Sequence, residues 1–116
     1  MFVAPINTDQ LLSEAEKENL YAKLIEQLNK DFNFANEPID FPQSTSPYEL
    51  KVQIHEKIYR LIQYKYAELL NLLYIIDVPE DNIKQLDGSD TVELAEQIAF
   101  LVLKREWMKV WFRNKY

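Results

Sequence analysis

The sequence predicts an all-α protein: a bundle of three long helices and one short one, with an extended aromatic strap between the first two long helices. Three observations carry this. Only one glycine, Gly88, occurs in 116 residues, whereas tight hairpins and phosphate loops both consume glycine. Apolar residues recur at i, i+3 and i+4 over long stretches. Each periodic stretch also opens on a capping signal.

The first helix is expected from Thr8 or Ser13 to Asp31, with Ser13 and Glu16 at capping-box spacing. Leu20, Tyr21, Leu24, Ile25, Leu28 and Phe32 form one stripe, opposite Lys17, Lys23, Glu26, Gln27 and Lys30. In "STSPYEL" Ser46 caps, Pro47 takes the first helical position and Glu49 reaches back. That helix is expected to reach Ile76 before Pro79, and its narrow polar stripe marks it as the central element. Asp77 and Glu80 open a short helix from Pro79 to Leu86 that Gly88 terminates. Asp90 caps the last helix, which runs to Asn114. Its middle, "IAFLVL" (Ile98–Leu103), is apolar on every side and is either sandwiched in the bundle or shared with a second subunit. Between the first two helices, "FNFANEPIDFPQSTS" is too rich in proline and asparagine for a helix and too apolar for a free linker. Phe34 and Phe41 should be buried in it as an anchored strap. Phe2, Val3 and Ile6 should pack in the same way.

Length and composition predict a single domain over residues 1–116, with 47% hydrophobic residues and a net charge of −6. There is no cysteine, which removes disulfides and thiolate chemistry. The start, "MFVAPINTDQ", lacks a basic region followed by an apolar run, so it does not read as a signal peptide, and a cytoplasmic location is expected. No apolar run is long enough to span a bilayer. The acidity disfavours nucleic acid and anionic membrane surfaces as partners.

Few chemical motifs appear. One histidine and no cysteine do not supply the usual zinc ligand sets, and His55 has Val52 rather than Glu three residues before it, so a di-iron pattern is missing. No nucleophile elbow, phosphate loop or dinucleotide fingerprint is present. His55 reads as a structural histidine at the edge of an aromatic row. The segment from Pro79 to Arg105 imitates a helix-turn-helix, but its second helix opens on Asp90, Glu93 and Glu96, which phosphates repel. No catalytic, cofactor-binding or metal-ligating residue is expected.

The last thirteen residues, Lys104–Tyr116, hold five of the thirteen basic groups, one of the nineteen acids and both tryptophans. Cations suit the carbonyl end of a helix, and that structural reading leads. The alternative is a partner-binding patch of Arg105, Trp107, Trp111 and Arg113, the residue types enriched at binding hot spots.

At "LLNLLYIIDVPEDNI" joined to "IAFLVLKREWMKVWFRNKY" the chain resembles an uncharacterised family of short helical bacterial proteins. These pair a leucine-rich helix ending in an Ile-Asp-Val-x-Glu turn with a terminal helix of mixed basic and aromatic residues. The resemblance implies a helical fold and carries no functional residue.

The expected function is therefore a non-enzymatic protein–protein interaction or structural module that self-associates as a homodimer. The length of a Pro47–Ile76 helix relative to the first puts the seam near Leu69–Leu73 and Phe100–Trp111. The alternative is an acidic inhibitor or immunity-type protein that covers a basic enzyme or nucleic-acid-binding surface.

Overall fold

The computed structural model describes residues 1–115 and folds them into six helices: α1 (Thr8–Lys17), α2 (Tyr21–Phe34), α3 (Pro47–Tyr64), α4 (Tyr66–Ile76), α5 (Glu80–Lys84) and α6 (Thr91–Lys115). No strand occurs among the described residues, so the fold is all-α as the sequence predicts. The first two predicted long helices are each broken once.

The first break comes from a residue standing in for glycine. Asn19 takes a left-handed conformation (φ 58°), Leu20 N–H donates to Ala15 C=O at 2.9 Å, and Asn19 N–H to Glu16 C=O at 3.0 Å. This is a Schellman stop, sealed by burial of Leu20. The same pairing ends α2 at Asn36 (φ 61°) and α4 at Asp77 (φ 71°), where Glu37 and Val78 return to Phe32 and Leu73. Asn and Asp tolerate this region better than other side chains, so three helices stop without glycine. Asn7, one residue before the earlier predicted start, caps α1 by accepting from Gln10 N–H at 2.8 Å. Ser13 and Glu16 are thus mid-helix.

The second break, at Lys65 (φ −144°, ψ 55°), involves neither proline nor glycine. Lys65 Nζ reaches Glu37 Oε2 at 3.0 Å, and Lys57 Nζ takes Oε1 of the same carboxylate at 2.9 Å. Burial alone would raise the Glu37 pKa; the bonds from Lys57 and Lys65 outweigh it and hold the carboxyl below its usual range. A buried carboxylate just past the end of α2 thus holds the corner between α3 and α4.

These breaks change which helix is central. With α3 and α4 angled apart, α6 packs against α1, α2, α3 and α4, most extensively against α3. Its Ile98, Ala99, Val102, Leu103, Trp107 and Val110 are buried, so the "IAFLVL" segment is sandwiched within the bundle. The Pro47–Ile76 region is therefore not the hub.

Residues 35–46 form the strap. Phe41 is 6% exposed, and Asn29 clamps its backbone in both directions, donating to its C=O and accepting from its N–H at 2.8 Å each. Tyr21 Oη donates to Thr45 C=O at 2.7 Å. Phe34 departs from expectation: it is the last residue of α2 and stands 78% exposed, because Phe32 occupies the inward position of that turn. Phe34→Ser should consequently shift the urea midpoint by less than the equivalent of about 0.5 kcal/mol, as for an ordinary surface position; a larger loss would mean that Phe34 packs against something. At the N-terminus Phe2 packs on the core, whereas Val3 and Ile6 are exposed, contrary to the predicted packing.

Candidate interaction site

The four residues that the sequence offers as an alternative partner patch are spread over separate tasks. Trp107 is 2% exposed and belongs to the core. Trp111 is half-buried, with Phe2 edge-on at 5.4 Å and Phe112 at 5.1 Å between ring centres. Arg105 donates from Nε to the Asp77 C=O and from Nη2 to its Oδ2, both at 3.1 Å, which places a cation on the carbonyl end of α4. Arg113 Nη1 donates to Gln27 Oε1 at 2.8 Å, and Lys115 meets Glu18 at 2.7 Å. The basic end of α6 is thus largely an intramolecular clamp, in line with the leading, structural reading of the sequence. A groove of about 720 Å³ runs between it, α1 and the N-terminal segment, lined by Phe2, Trp107 and Trp111 with Glu14, Glu18 and Lys115 among its polar residues.

Beneath this end lies a buried polar cluster that periodicity did not reveal. Glu106 is 0% exposed. Burial first, then the hydrogen bond to Asp31 and its charge, push its carboxyl up to about 9, with Lys109 offsetting part. Lys109 Nζ is 3.6 Å from Glu106 Oε2 because it is engaged with Asp31 Oδ2 at 2.8 Å. Burial alone would raise Asp31 too, but bonds from Glu106, Lys109 and Gln27 hold it below the usual range. The pair therefore holds one proton, carried by Glu106, neither of whose buried oxygens accepts a hydrogen bond from a protein donor. Gln27, read from sequence as outward, is buried and donates to the same Asp31 oxygen at 3.0 Å. A sequence signal for Glu106 did exist: it falls four residues after Val102 and four before Val110, on the inward row.

His55 lines a separate cavity of about 280 Å³ with Asp9, Lys51, Glu96, Gln97 and Phe100. Its Nε2 and Gln97 Oε1 are buried without a hydrogen-bond partner in the protein, and burial pushes the imidazole below its ordinary pKa. The ring is therefore neutral at pH 7. Among the described residues no group of three or more His, Asp or Glu is placed to hold a metal ion. No helix among them is long and apolar enough to cross a membrane.

The outward face of α4 has a different character. Leu69, Leu72, Leu73 and Ile76 turn into the core, which takes most of the predicted Leu69–Leu73 seam inside the chain. Tyr66, Leu70 and Tyr74 turn out, at 52%, 47% and 83% exposure. Ala67 and Asn71 flank them, and Glu68 is the single charged residue of the helix. At about 100° per residue, Glu68 lies roughly 160° around the helix from Leu70, so the stripe itself is uncharged. The sequence missed this face because an unbroken Pro47–Ile76 helix would present it differently.

Charge is concentrated elsewhere. Residues 77–96, α5 and the start of α6, contain seven of the nineteen acids and one of the thirteen basic residues; this −6 equals the whole net charge. All seven acids are exposed.

An all-α bundle with a clamped basic end, an acidic edge and an exposed uncharged row of Tyr66, Leu70 and Tyr74 on α4 is what these features define. No family model, no curated protein and no solved structure matches the chain.

Proposed function

We propose that the protein is a non-enzymatic interaction module whose docking surface is the outward face of α4. The supporting observation is the row Tyr66, Leu70 and Tyr74, standing out from a chain of 28% charged residues with no charge on the row itself. The row leaves on the order of 300–400 Å² of side chain outward, taking about 150–250 Å² for a whole aromatic side chain. That is the scale of the largest patch on a monomer, which is often functional. Tyrosine suits the role, since it offers large contact area and a polar tip at low entropic cost.

A photo-crosslinking amino acid placed at position 74 in the native cell tests this directly. The expected result is an adduct of raised mass that a Leu70→Asp background abolishes. Recovery of the unmodified chain alone would defeat the reading.

The acidic edge supports a second reading, an inhibitor or immunity-type protein that covers a basic surface. Seven exposed carboxylates within residues 77–96 would steer such a partner, and its binding would weaken steeply with added salt.

A further inference from the structure

The identity of the partner follows from the symmetry of the docking row, and this inference rests on the reading of α4 as a docking face. We propose that the occupant is a second copy of this chain, its α4 laid antiparallel on the first across a two-fold axis at Leu70.

The row is a palindrome. Tyr66 and Tyr74 each lie four residues from Leu70, about 6 Å along the helix and about 40° to either side of it. A two-fold contact must be self-complementary, with residue i meeting j and j meeting i. An antiparallel pair centred on Leu70 satisfies this: Leu70 meets the partner's Leu70, Tyr66 meets the partner's Tyr74, and the second tyrosine pair repeats the contact. A partner of unrelated sequence places no such demand on the spacing.

Electrostatics select the same arrangement. Two copies at −6 repel, and they approach most readily through a face without charge. Seven of the nineteen acids follow α4 closely in the chain, from Asp77 beyond its C-terminal end to Glu96. A parallel pair would set the two acidic segments side by side. The antiparallel pair puts their starting points at opposite ends of an 11-residue helix, about 16 Å apart at 1.5 Å per residue. That separation exceeds the Debye length of about 8 Å at physiological ionic strength. The helix dipoles also oppose favourably.

The chain has no cysteine, so introduced thiols report without background. Sedimentation equilibrium of the purified chain at micromolar concentration should give twice 13.8 kDa. Tyr74→Ser, at a position so exposed that folding is spared, should raise the dissociation constant about tenfold or more, in line with loss of a central aromatic contact. With a short bismaleimide, Leu70→Cys should cross-link to itself. Tyr66→Cys and Tyr74→Cys should cross-link when mixed and far less when each is alone. Self-linking of Tyr66→Cys with failure of the mixed pair would overturn the antiparallel register. A single 13.8 kDa species would overturn self-pairing. A cellular photo-adduct in that case would assign the face to a different protein and leave the docking reading standing.

Discussion

Glu106→Gln should make the protein more stable at neutral pH, by up to about 4 kcal/mol, and the gap should widen with pH. In the fold the Glu106 carboxyl is raised to about 9; in the unfolded chain it returns to about 4.3. Below pH 4 both states are protonated, and ionisation of this group costs the fold nothing. Between these values the unfolded state gains by ionising while the folded state does not. Stability therefore falls by up to about 1.4 kcal/mol per pH unit from this group alone, until the folded pKa is passed. Glutamine keeps the shape and still offers an N–H to Asp31, but it cannot ionise. Urea melts of parent and variant at pH 5, 7 and 9 give the test. A difference that stays constant across the three would mean that Glu106 is already charged in the fold, held as a carboxylate by Lys109.

The second large effect belongs to the strap. Phe41→Ala should cost about 3 kcal/mol, the usual loss for a core aromatic, because its ring is buried and its backbone is fixed by Asn29 from both sides. The strap also carries Glu37, so loosening it bears on the corner at Lys65. Loss of Phe41 should therefore lower the helical circular dichroism before the main transition as well as its midpoint. A melt that superposes on the parent would return this segment to the status of a linker.

Such features were legible in the sequence wherever cause and effect lie within one turn. Ser46 accepts from Glu49 N–H at 3.2 Å with Pro47 at the first position, and Asp90 caps α6 through Val92 and Glu93, as their spacing implies. The helix stops at Asn19, Asn36 and Asp77 were not read, because asparagine and aspartate pass as ordinary surface residues until their backbone is seen. The corner at Lys65 was beyond local reading altogether. Lysine is a good helix former, and the carboxylate that engages it lies 28 positions earlier. Arg105, Trp107, Trp111 and Arg113 were correctly singled out as unusual, but residue types cannot tell a patch from a clamp. The partners that decide it, Asp77 and Gln27, are 28 and 86 residues away. The exposed row on α4 came into view only with the corner that sets its orientation.

The position of α6 at the centre of the bundle has a consequence for synthesis. Ribosomes deliver α1 to α4 before the helix that all four pack against. From the end of α4 to the end of α6 the ribosome adds 39 residues, which takes roughly 2–8 s at about 5–20 residues per second. During that interval α1, α2 and α3 emerge without the helix that each packs against most. The nascent chain is then a set of amphipathic hairpins open to chaperones and proteases. The time spent in that condition adds an exposure to proteolysis that the equilibrium stability of the finished fold does not measure.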